Sequence, residues 1–499
     1  ARATPPTETR LLAGIPGIHC YRTVEETFAS AAQMAADHPD LPSWIDAGDS
    51  WDKTAGLGGY DLMVLRLTNV SRPGPKPKLF LTCAIHAREY ATAELCTRFA
   101  EHLLARHDRD PDVTWLLDHH EIHLMLIANP DGRKQAEAGD LWRKNTNDAY
   151  CRQQEDRRGA DLNRNFDFQW ACCGGSSSRE CDELFRGPWA ASEPETQVVQ
   201  NYLLAEFPDQ REDPLDAPAS DLATGIYLDI HASGDLVLWP WGFDGGEAPN
   251  HVQLQTLGRK MAYFNGYTAK QGYFLYPTDG TTTEFAYGAQ GVAAFTFELG
   301  DWFFQDCAAF EEAILPTNLA PLLYAAKAAR TPYLTPSGPD ALALRAAPAL
   351  VGAGATLRIE AIIDDTRYNQ DGGAEPSQAI AGAECYLDLP PWDRDAQGTA
   401  IAMDAEDGLF DGSRENVGAV LESAALAPGR HTIFVRGLDA AGNWGAVSAA
   451  FFWLADGTEG RVSGTVTEGS TGLPLAASVS VDLLGLTART DPASGHYSM

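Results

Sequence analysis

The sequence predicts an α/β layered domain with a mixed, mostly parallel sheet and helices on both faces, followed by a β-sandwich and a short terminal β segment. Two observations lead there, and a third points to a site. Strand-length apolar runs alternate with segments of helical period through residue 330, the pattern that packs helices onto a largely parallel sheet. Residues 331–340, rich in Pro, Gly and Ser, then interrupt it, and beyond them apolar and polar residues alternate with period two and no helical segment intervenes. Several of the apolar runs also carry or end in a single His or carboxylate, a costly placement unless that group has a partner or a task.

Residues 23–36 open the first domain as a surface helix ahead of Pro39, with Thr23 as N-cap and Glu26 completing a capping box. A strand over 60–67 follows, and the Pro-rich turn at 72–78 hands the chain to an apolar strand over 79–85. Glu89 then opens a helix in which Leu95, Phe99 and Leu103 recur at helical spacing. The strand over 121–128 closes at Asn129-Pro-Asp-Gly132, read as a turn. His123, inside that strand, alternates with apolar neighbours and reads as a core histidine. Strands over 226–231, 236–241 and 294–299 and a closing helix over 316–330 complete the domain.

His86 and Glu89 sit three residues apart at the first strand-to-helix junction, where both can converge on one cation and leave positions open for water and substrate. His231 ends the apolar run 226–231 and is the third candidate ligand. Glu298 is a lone carboxylate in an otherwise apolar strand, and general base catalysis is a task that would keep it there. His86, His231 and Glu298 lie at the carboxyl ends of strands, where sheets of this class place their sites.

The segments His86-Ala-Arg-Glu89, Leu141-Trp-Arg-Lys144, Asp161-Leu-Asn-Arg-Asn165, His231 and Phe295-Thr-Phe-Glu-Leu299 resemble, in the same order, the motifs of zinc carboxypeptidases of the carboxypeptidase A/B type, over most of residues 17–330. The resemblance implies one catalytic Zn2+ held by His86, Glu89 and His231, with Glu298 as general base and Arg143 supporting the developing oxyanion. It implies that Asn163 and Arg164 grip the terminal carboxylate of a peptide or protein substrate, and that Asp161 receives the ring N–H of a ligand, His86. Tyr276, 22 residues before Glu298, matches a mobile tyrosine that closes over substrate. Arg88 matches a residue that contacts substrate further from the scissile bond.

The same resemblance lines the pocket for the leaving residue with Leu238, Gly242, Gln271, Leu275, Thr278, Thr283 and Thr296. Thr283 stands where an apolar residue marks a preference for apolar termini and an Asp marks Lys or Arg, and a threonine supplies neither. With Leu238 and Leu275 as walls, the expectation is aromatic and large aliphatic termini, with Lys or Arg as weaker substrates reached through Asp279 or water. The stretch Ala232-Ser233-Gly234 lacks the aromatic usual after the third ligand, which leaves one subsite wall undefined.

Beyond the linker, Leu357, Ile359, Ala361 and Ile363 alternate with polar residues. Residues 341–455 read as a β-sandwich resembling the immunoglobulin-like modules found after bacterial secreted hydrolases. Asp364, Asp365, Asn369, Asp371, Asp404, Glu406, Asp407 and Asp411 could hold a structural Ca2+, although no full calcium-loop pattern is present and acidic turns in an acidic protein account for them as well. Residues 456–499 resemble the opening strands of a transthyretin-like regulatory module, cut short.

Composition narrows the partners. Lys and Arg number 37 against 69 Asp and Glu, a net charge of −32, which argues against nucleic acid or an anionic membrane as a partner. No apolar run reaches the roughly 18 residues of a membrane helix. The start at Ala1-Arg-Ala reads as processed or engineered. Among nine cysteines, Cys83 and Cys96 read as buried free thiols. Cys151 and Cys181 flank the Asp161 motif as in a disulfide-closed loop of animal members of the resembling family, with Cys151 to Cys172 or Cys173 an open alternative. A disulfide there implies secretion, whether to the medium, the periplasm or the cell surface. Two rival classes share part of the pattern: a related zinc hydrolase acting on cell-wall peptides or acyl amino acids, and a non-catalytic surface-binding protein.

Overall fold

A computed structural model describes residues 13–457, 462–481 and 486–498. The start at Ala1-Arg-Ala and parts of 456–499 lie outside the described residues. The chain forms two compact units, one made of residues up to 107, 115–337 and 367–376, the other of 108–114, 338–366 and the residues from 377 onward.

The first unit is built on an eight-stranded sheet: β1 (Pro42–Asp49), β2 (Asp61–Leu67), β3 (Lys78–Cys83), β4 (Glu121–Met125), β5 (Ile226–His231), β6 (Leu236–Trp239), β7 (Thr268–Gln271) and β8 (Ala293–Glu298). Their spatial order is β1-β2-β4-β3-β5-β8-β6-β7. The four central strands β4, β3, β5 and β8 run parallel, β1 and β2 add an antiparallel edge, and β6 returns antiparallel to β8 with β7 parallel beside it. The sheet is therefore mixed. Every residue of β5 and nearly every residue of β3 is buried, which is why both read as continuous apolar runs and not as alternations.

Local signals are realised with some corrections. Helix Val24–Asp37 carries the full capping box between Thr23 and Glu26. Asn129-Pro-Asp-Gly132 is not a free turn: Asn129 caps helix Pro130–Glu137 by accepting from Gly132 N, and Pro130 takes the first helical position, where its missing N–H costs nothing. Strands β1 and β7 are unforeseen, since the sequences PSWIDAGD and TAKQ carry Pro, Gly and charged residues that only sheet edges tolerate.

Cys83 and Cys96 are joined in a disulfide that ties the end of β3 to helix Tyr90–Arg106, so the free-thiol expectation fails: residues 13 apart in sequence meet because the helix folds back over the strand. Cys151 pairs with Cys181, Cys20 with Cys307, and Cys172 with its neighbour Cys173, leaving Cys385 free and buried.

The second unit is rich in β structure. Strands β9 (Asp340–Ala347), β10 (Leu350–Gly352), β11 (Thr356–Asp364), β12 (Ile380–Leu387), β13 (Ile401–Ala405), β14 (Arg414–Glu422), β15 (Gly429–Asp439) and β16 (Ser448–Ala455) follow the order β10-β16-β15-β12-β13-β14-β11-β9. Leu357, Ile359 and Ile363 of β11 share one core with Cys385 of β12, Val435 of β15 and Phe452 of β16, the inward half of each alternating pattern. Two small strand pairs, Ser463–Thr465 with His496–Ser498 and Ser478–Val481 with Leu486–Arg489, follow.

No calcium cluster forms among the described residues of the acidic turns. Asp364 accepts from Thr366, Asp365 from Gln378 N and Asp407 from Leu409 N, while Glu406 meets Arg358. Asn369 and Asp371 lend backbone carbonyls to Arg259. Their oxygens serve turns and ion pairs.

Candidate active site

Parallel register places the candidate residues together. Cys83 of β3 lies beside Ile230 of β5, and His231 lies beside Glu298 of β8, so three adjacent strands end at one level. Beyond β3 the chain turns through Ala84 in the left-handed region, φ 53°, held by a hydrogen bond from Ala84 N to Thr92 Oγ1 at 2.9 Å. That turn brings His86 over the strand ends. Glu89 occupies the N-cap of helix Tyr90–Arg106, yet its carboxylate makes no capping bond. It faces His86 Nδ1 at 2.8 Å and His231 Nδ1 at 3.0 Å, and it accepts from Ala232 N at 3.1 Å.

The donor chemistry of this cluster fits a zinc ion. His86 Nε2 lies 3.1 Å from Asp161 Oδ1 and His231 Nε2 lies 2.7 Å from Asp229 Oδ2, so each outer nitrogen donates its proton to a carboxylate and each Nδ1 keeps a lone pair. Those two lone-pair nitrogens are only 3.1 Å apart, beside the Glu89 oxygens. Three acceptors in mutual contact need a cation. The electrostatics register the same demand for positive charge, which a proton on His231 meets where no metal does: against the effect of burial, Asp229 and Glu89 raise His231 well above the ordinary imidazole value, and His86 and His231 hold buried Glu89 below the usual carboxylate range. A second grouping, Glu121, His123 and Glu206, does not fit a metal, because Lys78 already meets Glu206 at 2.7 Å and Tyr202 OH meets His123 Nδ1 at 2.7 Å. His123 is a satisfied core residue.

A pocket of about 50 Å3 adjoins the cluster, lined by His86, Arg143, Asn163, Arg164, His231, Tyr276 and Glu298 among others. Burial pushes the Glu298 carboxyl up to about 8. Arg143 binds Asp161 Oδ2 through Nε at 3.0 Å and Nη2 at 2.9 Å, and with His86 it holds the buried Asp161 well below the carboxylate range. Arg164 is steadied by backbone carbonyls, Nε to Gly175 O at 3.1 Å and Nη1 to Asn163 O at 2.6 Å. Gly175 reaches that place because it has no Cβ, which would collide with the Thr278 backbone. Tyr276 stands at the mouth, 46% exposed.

Arg88 lies outside this pocket. Its guanidinium stacks 4.2 Å over Phe303 and reaches Leu141 O at 3.2 Å. Leu141 lines a second, larger cleft of about 1170 Å3, which meets the first pocket at Arg143 and is walled by Trp142, Lys144, Arg158 and Glu183.

Of the residues expected around the leaving side chain, Leu238, Gly242, Leu275, Thr278, Thr283 and Thr296 line the pocket, joined by Trp239 and Glu284. Gln271 does not, since its amide braces the carbonyls of Trp241, Asp244 and Gly246, each at 2.9 Å. Asp279 does not either: its Oδ2 accepts from Gly175 N at 2.9 Å and Cys173 N at 3.3 Å. Besides Glu298, the acid that lines the pocket is Glu284, which accepts from Gly242 N at 2.7 Å and is pushed up to about 7 by burial. Asp229 also escapes the sequence reading, though it shows the signal that marks Glu298, a lone carboxylate in an apolar strand.

Comparison with known proteins agrees with this geometry. The profile of the zinc carboxypeptidase family matches residues 28–319. A zinc carboxypeptidase from Saccharothrix mutabilis subsp. capreolus is 31% identical over 293 residues, 56% of this chain and 62% of that protein. Carboxypeptidase B from Bos taurus is 30% identical over 291 residues, 56% and 63% of the two chains. The chain thus spans less than two thirds of the length of these curated relatives. Among solved structures, carboxypeptidase A from Helicoverpa armigera aligns with a TM-score of 0.52 at 25% identity, over 61% of this chain and 73% of that one. Thrombin activatable fibrinolysis inhibitor aligns with a TM-score of 0.52 at 23% identity, over 62% and 74%, a likeness of fold. With the family profile covering the strands, turns and helices that assemble His86, Glu89 and His231, this chain belongs to the zinc carboxypeptidase family.

Proposed function

We propose that the protein is a zinc-dependent exopeptidase that hydrolyses the C-terminal peptide bond of peptides and proteins. The observation that supports this best is the shared pocket of Glu298 and Arg164 beside the three-ligand cluster. Bound by His86, Glu89 and His231, zinc would polarise the scissile carbonyl, make water more acidic and favour the ionised form of Glu298. Glu298 takes a proton from water and returns it to the departing amine. Arg143, oriented by Asp161, directs a guanidinium at the carbonyl oxygen as negative charge develops there. Arg164, together with Asn163, receives the terminal carboxylate, which restricts cleavage to chain ends. Tyr276 closes over the bound residue. The upstream peptide runs into the larger cleft beyond Arg143, on whose rim Arg88 is anchored.

The pocket favours aromatic and large aliphatic termini through Leu238, Leu275 and Trp239, with Lys or Arg as weaker substrates served by Glu284. Four disulfides support an oxidising, extracellular setting, and among the described residues no helix is long and apolar enough to cross a membrane. The core shared by β11, β12, β15 and β16 supports an immunoglobulin-like sandwich, and the two small strand pairs after it support a transthyretin-like segment. Hydrolysis of an N-blocked dipeptide with a free C-terminus, abolished by a chelator and restored by zinc, tests the reading. Equal cleavage of the C-terminally amidated dipeptide would overturn it.

A further inference from the structure

We propose that Asp229 is a positioning residue that ties the ligand His231 to the amide of Asn163, so that one carboxylate sets both zinc affinity and the grip on the terminal carboxylate of the substrate. The inference rests on the zinc exopeptidase reading. Asp229 lies two residues before His231 on β5, therefore on the same face of the sheet, and is fully buried. Its Oδ2 is 2.7 Å from His231 Nε2 and 3.2 Å from Asn163 Nδ2, and it also accepts the Thr282 hydroxyl. Its Oδ1 accepts the Thr82 hydroxyl at 2.7 Å, and that hydroxyl lies 2.5 Å from Tyr227 OH.

The geometry fixes protons as well as positions. A neutral His231 that donates to Asp229 carries its one proton on Nε2, which leaves Nδ1 unprotonated toward Glu89 and His86, as a metal ligand requires. The 3.0 Å approach of Asn163 Nδ2 to His231 Nε2 is then a meeting of two donors, and both depend on the same Asp229 oxygen. Asn163 cannot flip, because its Oδ1 accepts Thr282 N at 2.9 Å. One of its two amide hydrogens is engaged by Asp229. The other diverges from it and stays available to a ligand in the pocket that Asn163 lines. Without an acceptor at position 229, His231 could take the other tautomer, and the Asn163 amide and the Thr82 and Thr282 hydroxyls would lose a common anchor.

Asp229→Asn keeps the size of the side chain and can set a donor against the His231 Nε2–H. In the folded variant, the zinc dissociation constant, measured by chelator competition, should rise about 10- to 100-fold. At saturating zinc, KM for the blocked dipeptide with a free C-terminus should rise by a larger factor than kcat falls. Zinc affinity equal to the parent's would overturn the proposal, as would weakened zinc affinity with an unchanged KM. Should Asp229→Asn fail to fold, Thr282→Val removes one donor from the same oxygen. Both quantities should then shift in the same directions by smaller factors, and a shift in neither or in only one overturns the coupling. The exopeptidase reading is checked separately on the parent protein, which must bind zinc and cleave the dipeptide.

Discussion

His231 and Glu298 are register partners on the parallel strands β5 and β8. A candidate metal ligand and a carboxylate thus hang from adjacent strand ends, and their separation is set by the sheet and not by a loop. Such placement holds reacting groups to within fractions of an ångström.

Glu298→Gln should therefore keep zinc, because none of the three ligands is altered, while kcat falls on the order of 100- to 10,000-fold or more through loss of the base. Zinc content by atomic absorption and turnover of the blocked dipeptide check this. Near-parental turnover would remove Glu298 from the mechanism.

Arg164→Ala should raise KM and lower kcat for free-carboxylate peptides, since the guanidinium both binds and orients the substrate. The parent should discriminate against the amidated peptide, and the variant should lose most of that discrimination. Steady-state kinetics on the matched pair decide it.

The preference between termini should depend on pH. Burial raises the Glu284 carboxyl to about 7, with Arg164 opposing the shift and Asp279 adding to it. Below that pH the group is mainly neutral and suits apolar termini; above it the carboxylate favours a cationic side chain. The ratio of kcat/KM for terminal Arg over terminal Leu should rise severalfold from pH 6 to 8.5. In Glu284→Gln the ratio should stay flat, and a parental slope in that variant would exclude Glu284.

Stability should fall across the same range for a different reason. Glu195 is raised from 4.5 to about 8 by burial and by the neighbouring Glu193. The unfolded chain ionises this group from about pH 4.5, whereas the folded chain resists until about 8. The stabilisation is full at low pH and is lost as pH rises through that window, at no more than about 1.4 kcal/mol per pH unit for one proton. Tm measured from pH 5 to 8.5 should decline, and Glu195→Gln should lessen the decline.

What the sequence determined by itself were features carried by short segments. The His86 and Glu89 spacing, the run that ends in His231, the lone Glu298 and the capping box at Thr23 are each legible because their partners lie within a few residues or because an apolar strand makes a polar residue conspicuous. The tertiary structure decided whatever depends on distant segments meeting. It joined Cys83 to Cys96 by folding a helix back over β3. It recruited the polar segments β1 and β7, which pair only because a sheet edge is there to receive them. It turned Asp279 toward the amides of residues 173 and 175 and Glu284 toward the pocket, a choice five residues of sequence cannot express because it depends on which backbone donors come within reach. And it set Asp229 behind His231 and Asn163, where a buried carboxylate persists because the fold surrounds it with donors.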